Sequence, residues 1–404
     1  MTPTALAESV FLPSPVEPAG ETPWLSERRR RAFARFEELG FPTPHDESWR
    51  YTGIQAITGT PWTRTRGGFE LSGPAPEGVR VHPLREALVL ARPFFDRIVP
   101  ESSAFSALNA ALLDDATVVE ILPGAVVAEP LELVFRAGAS AAGPVLYSPR
   151  LLVVAGERSE ASIVQRFEGG GGVTFTNAVT EIDVAAGAVL EHTLLQRESR
   201  EACHVHGMAA KQARGSRFTS VNVALGSALA RTDLDVVLAD EGAECALYGL
   251  FVGGGTQHLD VHTTIDHARP HCTSRELYKG ILDGAARGVF HGKIVVRPDA
   301  QKTDAVQTNK NLLLSRHALV NSTPALEILA DDVKCKHGST TGQLDAGALF
   351  YLRSRGIGEE AARSILTWAF AADVAERIRI PGVRAEVERE LGLVLSGSPA
   401  EGTA

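Results

Sequence analysis

The densest set of metal-competent side chains lies between His258 and Cys272. His258, Asp260 and His262 alternate with Leu259 and Val261, so an extended chain presents them on one face. Asp266, His267, His271 and Cys272 follow at once. Imidazole nitrogen and carboxylate oxygen suit zinc, iron and related metals, so one reading is a metal-dependent enzyme built on His258, Asp260 and His262. The other is a strand face whose polar groups meet water, because no regular ligand motif closes the set.

A second pair is Cys335 and His337. Alternation over Leu329–His337 puts Leu329, Asp331, Val333, Cys335 and His337 on one side of an extended strand, with Lys334 and Lys336 on the other. A thiol and an imidazole projecting together can hold iron or zinc, or form a Cys-His nucleophile; a surface strand without chemistry accounts for the same spacing. Gln307, Asn309 and Asn311 alternate as amides, downstream of Gln301, Lys302, Thr303 and Asp304. Amides so placed can hydrogen-bond between adjacent chain segments or to turn backbone.

Other chemistries lack their motifs. No GxxxxGK[ST] run is present to cradle nucleotide phosphates, so this chain is expected to bind no ATP, and Gly169–Gly172 reads as a glycine turn. Neither a GxSxG elbow nor an HExxH helix occurs. The net charge of -9 disfavours nucleic acid as a partner. The four cysteines, Cys203, Cys245, Cys272 and Cys335, stand singly with no CxxC pair, as in a reducing compartment. With no basic-then-apolar leader and no apolar run of about 18 residues, a cytoplasmic protein without a membrane partner is expected.

The elements that must position these residues are mostly strands. Residues 1–21, rich in Pro, Ala, Glu and Ser, read as a disordered tail. A helix follows with Thr22 as its cap, Pro23 at its first position, a stripe of Leu25, Ala32, Phe36 and Leu39, and a stop at Gly40 and Pro42. The Arg28–Arg31 run is expected on its solvated face. From about Ala116 to Val333 short apolar or alternating runs, such as Val118–Leu122, Leu131–Phe135 and Leu151–Val154, are separated by glycine-containing turns. Gly156, Gly187, Gly215 and Gly242 each precede an apolar run and are 31, 28 and 27 residues apart. Such spacing without intervening helices suggests stacked coils, a β-solenoid; a β-sandwich would give similar punctuation, but the length of the stretch favours the solenoid. After Gly342 helical periodicity returns. Asp345 is placed to cap one helix that stops at Gly356, and Ala362, Leu366, Phe370, Val374 and Ile378 form the stripe of a second that ends before Pro381. Trp368 lies off that stripe, facing either a third helix near Val383–Leu393 or a partner protein.

The sequence resembles the SufD family of scaffold subunits from the Suf iron-sulfur cluster assembly machine. The resemblance rests on Tyr278–Ile281, Val289–Ile294, Ala300–Ala305, Asn309–Ser315, Leu326–Gly338, Gly342–Asp345 and Leu349–Gly356, with Trp49–Thr52 matching the family's N-terminal motif. The related SufB subunits usually follow their Cys-x-His with glutamate; this chain has Gly338, and then Gly342, Gln343, Leu344 and Asp345, as in SufD. The resemblance implies a right-handed parallel β-helix flanked by N-terminal and C-terminal helical domains. With the pattern above, this divides the chain into a tail (1–21), an N-terminal helical region with its connection (22–115), a β-helix core (116–338) and a C-terminal helical domain (339–404). It also implies a SufB heterodimer seated on SufC ATPases, sulfur arriving through SufB, and FADH2 as a cofactor at the level of the complex. His337 matches the histidine at the SufB interface, beside Cys335, where iron or a transient iron-sulfur cluster would be shared, and Trp368 lies in the region that docks SufC. A scaffold rather than an enzyme is therefore expected. A β-helix carbohydrate-active enzyme, with charged side chains converging on a solenoid groove, is the alternative from another class.

Overall fold

Six residues at one corner set the architecture. Arg158, Gly187, Gly215, Gly242, His271 and Lys302 all take positive φ, between 55 and 73°, and each N–H donates to a carbonyl one coil further on. The acceptors are Ala186, Arg214, Glu241, Pro270, Gln301 and Asp332, at 2.7 to 3.2 Å. The coils therefore stack in register, with glycine at three corners and an L-residue bearing the roughly 1 kcal/mol left-handed cost at the others. Gly156 lies two residues before its corner and serves differently: a Cβ there would approach the Pro123 backbone nitrogen to 2.6 Å.

A computed structural model describes residues 22–94, 103–113, 116–138, 143–169 and 172–395. The expected tail over 1–21, and Gly170 and Gly171 of the glycine turn, lie outside the described residues. The core is a parallel β-solenoid of about seven turns. One sheet stacks Thr174–Val184, Cys203–Gln212, Leu229–Leu238, His258–His267, Arg287–Val296 and Leu319–Ile328. The other stacks Glu160–Gly169, Val189–Arg197, Arg217–Ala224, Glu244–Gly253, Thr273–Leu282, Asp304–Leu313 and Lys334–Gly342. All these neighbours pair parallel, which a β-sandwich of antiparallel strands would not do. Side chains alternate between the interior, where Ile182, Leu234, Ile265, Phe290 and Tyr278 are buried, and the outer faces.

Both outer faces are covered by helices. Helix α1 (Pro23–Leu39) and helix α2 (Ala104–Ala111), with the segment between them, bury Phe36, Trp49, Ile57, Trp62 and Phe105 on Phe175, Cys203, Val205 and Leu229. Helix α1 begins where expected, but the Thr22 hydroxyl makes no capping hydrogen bond and Arg28 is buried, its guanidinium 5.9 Å from the Trp24 ring centroid, rather than solvated. The region expected to be helical also supplies strands. Gly68–Leu71 and Val79–Pro83 run antiparallel to Leu131–Ala137 and Thr117–Ile121 at the N-terminal end of the two sheets. On the second face lie helices α3 (Ala346–Ser354), α4 (Glu359–Ala375) and α5 (Pro381–Leu395). Asp345 caps α3, accepting from the Ala348 N–H at 2.6 Å, and Gly356 follows its end with φ 85°. Ala371, Val374 and Ile378 with Val383, Val387 and Leu391 pack on Val164, Leu195, Val223, Leu250 and Ile281. Leu366 and Phe370, expected in that core, are only half-buried, because the buried line of α4 passes through Thr367 and Ala371. Among the described residues no helix is long and apolar enough to cross a membrane.

Candidate functional site

The solenoid is open at its C-terminal end. Leu319–Ile328 and Lys334–Gly342 are the last strands of the two sheets, each paired on one side only. Coil after coil of buried interior gives way there to a last coil that is half-buried or exposed, and Leu319 and Ile328 are 47% and 40% exposed. Unpaired strand edges next to exposed apolar residues form a template for another chain's strands.

Cys335 and His337 stand on this last coil. Their strand begins at Lys334; Leu329–Val333, expected as its first half, forms the corner instead, with the Asp332 carbonyl taken by Lys302 N–H. Register settles which way the pair faces. Cys335 pairs with Ala305 and His337 with Gln307, both interior residues of the preceding coil, so thiol and imidazole face the open mouth rather than the outer surface. His337 is exposed, whereas Cys335 is half-buried against Ala305, Ile294 and Val333. Partial burial and nearby Asp304 raise the Cys335 thiol above its ordinary value, outweighing a hydrogen bond from the Ala305 backbone. Cys203, Cys245 and Cys272 are buried, and burial raises each of their thiols too.

Behind the pair lies a buried polar row. Thr263 Oγ1 donates to Glu276 Oε1 at 2.5 Å, and Gln307 Nε2 donates to Glu276 Oε2 at 2.7 Å. Burial pushes the Glu276 carboxyl up to about 7, despite those two donors. Asn309 Nδ2 donates to the Tyr278 backbone carbonyl at 3.2 Å, and Asn309 Oδ1 accepts from Asn311 Nδ2 at 2.5 Å and from Ser322 Oγ at 2.8 Å. Gln307 and Asn309 thus join neighbouring coils, as expected, while Asn311 bonds within its own strand. Glu276 was not singled out in the sequence; its spacing of 31 residues from Gln307, one coil length, was the available signal.

The cluster at His258, Asp260 and His262 serves another purpose. Alternation does place the three on one outward face, but that face is covered by the segment around Trp49. Thr52 Oγ1 donates to Asp260 Oδ2 at 2.6 Å and lies 2.9 Å from His258 Nε2. Arg231 Nη1 donates to Asp260 Oδ2 and to the Ser48 carbonyl, both at 2.7 Å, and its guanidinium sits 3.8 Å from the Trp49 ring centroid. His262 Nε2 lies 3.0 Å from Asp260 Oδ1. Burial alone would raise the Asp260 carboxyl, but Arg231 and His262 prevail and hold it well below the usual carboxylate range. Of the two readings of this cluster, the solvated one holds in part: His258 and His262 stay partly exposed, but Asp260 is buried and its carboxylate is committed to Thr52, Arg231 and His262. Among the described residues no group of three or more His, Cys, Asp or Glu is placed to hold a metal ion. Arg231, the hub of this latch, went unremarked in the sequence because a lone arginine in a strand has no pattern.

The C-terminal helices are fastened by charge as well as packing. Lys279 is buried, with Nζ 2.5 Å from Asp373 Oδ2, 2.7 Å from the Phe370 carbonyl and 4.5 Å from the Phe370 ring centroid. Arg166 and Arg197 reach Glu386 at 2.9 and 2.5 Å. Outward from this attachment α3 exposes Phe350 and Tyr351, and α4 exposes Ile365 and Trp368. Trp368 is 39% exposed.

Comparison with known proteins agrees on one family. Residues 135–370 match the model of the SufBD core domain of the SUF system for iron-sulfur cluster assembly. An iron-sulfur cluster assembly SufBD family protein of Synechocystis is 34% identical over 71% of this chain and 65% of its own length. The iron-sulfur cluster assembly protein SufD of Escherichia coli is 30% identical over 89% of this chain and 90% of its own. A SufBD family protein of Mycobacterium leprae is 31% identical over 92% of this chain and 96% of its own.

Proposed function

Because this chain belongs to the SufBD family of iron-sulfur cluster assembly proteins, as a SufD-type member, we propose that it is the scaffold that pairs with SufB through the open end of its solenoid. The observation that carries this is the coincidence of two features on the last coil: unpaired strand edges, and Cys335 and His337 facing the mouth between them. Paired end to end with SufB, the two solenoids would bury Leu319 and Ile328 and enclose the imidazole and thiol. Iron and the nascent cluster are cargo there. His337 contributes a nitrogen ligand when its ring is neutral, Cys335 stands beside it, and SufB brings sulfur from its donor system.

The chain is then a non-catalytic subunit of a cytoplasmic SufBCD complex. SufC hydrolyses ATP and docks on the C-terminal helices, where Phe350, Tyr351, Ile365 and Trp368 give the apolar contact. FADH2 acts, where it acts, at the level of the whole complex. Family membership supports this reading over the carbohydrate-active alternative.

The test is co-expression with tagged SufB and SufC. The wild-type chain is expected to co-purify with both. Ile328→Glu places a charge in the buried interface and is expected to abolish SufB pairing while SufC binding persists. Undiminished SufB binding by a folded Ile328→Glu chain would place the interface elsewhere.

A further inference from the structure

Glu276, Gln307 and His337 occupy the same register position on three successive strands of one sheet. Parallel in-register pairing puts their side chains in one row on one side of the sheet, about 4.8 Å apart. The row is built rather than incidental. Glu276 and Gln307 are 3% and 1% exposed, and the carboxylate is fixed from one side by Thr263 Oγ1 and from the other by Gln307 Nε2. On the facing strand Gly292 leaves room for the Gln307 amide, with which any Cβ would collide. The hydrogen bond to Glu276 commits Nε2 of that amide, and leaves Oε1 as the atom that can take a donor. Gln307 Oε1 is buried and has no hydrogen-bond partner among the described residues. A buried acceptor left unpaired costs about 1 to 3 kcal/mol, and the next side chain in the row is an imidazole.

We propose that Gln307, oriented by Glu276, is a positioning residue for His337: its Oε1 accepts one imidazole N–H and leaves the other ring nitrogen as a bare lone pair facing the mouth. The inference rests on the reading of His337 as a ligand for iron or nascent cluster, and it deepens that reading. A second hydrogen bond that fixes the tautomer and orientation of a ligating histidine is how proteins prepare imidazole for a metal. Glu276 and Gln307 do not touch the cargo; they act through His337. Glu276 supplies orientation because a carboxylate only accepts, so it admits just one rotamer of the neighbouring amide.

The test reads the tautomer directly. The full chain, labelled with 15N-histidine, is examined by long-range proton-nitrogen NMR at pH 8. At this pH imidazoles of ordinary pKa are neutral, and Glu276, raised to about 7, is mostly ionised. His317, exposed in the same chain, supplies the solvent reference. The tautomer ratio of His337 is expected to depart from that of His317 by about fivefold, corresponding to a net hydrogen bond of about 1 kcal/mol. Gln307→Met keeps the bulk and removes the acceptor, and is expected to return His337 to the reference ratio. Glu276→Gln keeps the shape but lets the Gln307 amide turn over, and is expected to shift the ratio the same way. A wild-type ratio equal to that of His317 would overturn the proposal whether or not either variant folds, as would an unchanged ratio in folded Gln307→Met. Because the tautomer is read without SufB or iron, a failure of the scaffold reading, such as normal cluster content in a His337→Ala complex, registers separately.

Discussion

Arg231→Met tests the latch that holds the N-terminal segment to the solenoid. The substitution removes the cation that donates to Asp260 and Asp233, the hydrogen bond to the Ser48 carbonyl and the contact with the Trp49 ring. It leaves Asp260, whose side chain is fully buried, with only Thr52 and His262. Removing one partner of a buried pair costs about 3 to 5 kcal/mol, a large part of a typical stability of about 5 to 15 kcal/mol. The pH dependence gives the sharper check. In the wild type the Asp260 carboxyl is held below its ordinary value, so its contribution is complete above about pH 4 and is lost only as pH falls through the lower folded value. Without Arg231 only His262 and Thr52 oppose the effect of burial, so the carboxyl is expected to rise relative to the wild type, with the penalty largest at neutral pH and relaxing as acid protonates it. Urea denaturation is therefore expected to show a deficit of about 3 to 5 kcal/mol at pH 7 that narrows toward pH 4. Tryptic cleavage after exposed Arg50 should accelerate before global unfolding. A deficit below about 1 kcal/mol, or one independent of pH, would refute the latch.

Glu276→Gln should flatten the alkaline side of the stability profile. Burial raises this carboxyl from 4.5 to about 7, so the stability it favours is complete below pH 4.5 and lost as pH rises through 7, a difference of about 3 kcal/mol that the amide removes; urea midpoints at pH 5 and pH 8.5 check it. Lys279→Met should loosen the C-terminal helices by about 1 to 3 kcal/mol, by loss of charged hydrogen bonds to Asp373 and the Phe370 carbonyl. Hydrogen exchange should rise across α4 and α5 while the solenoid strands stay protected.

The solenoid was legible in the sequence because corner glycines and alternating apolar runs are local signals. Its period looked weak because Arg158, His271 and Lys302 occupy corners where the pattern calls for glycine. The helices were legible where caps and stops are spelled out, as at Asp345 and Gly356, and less so where packing chooses the face: half-burial of Leu366 and Phe370 depends on how α4 lies on the sheet. Alternation correctly placed His258, Asp260 and His262 on one face, yet could not show that a segment some two hundred residues earlier covers it, with Thr52 and Asp260 separated by 208 positions. Cys335 and His337 were found by spacing and by family resemblance. Their position at an open mouth, behind which Glu276 and Gln307 form a row, follows from register, which a single strand does not encode.

The central claim is that His337 holds cargo at the end of the solenoid. The direct measurement is the iron and sulfide content of the complex purified after co-expression with SufB and SufC, compared between wild type, His337→Ala and Cys335→Ser. His337 is exposed and alanine suits the same extended backbone, so subunit ratio and melting should not change. Cluster content, and activation of a cluster-requiring apo-protein, are expected to fall strongly in His337→Ala and less in Cys335→Ser. Normal iron, sulfide and delivery in an intact His337→Ala complex would contradict the account.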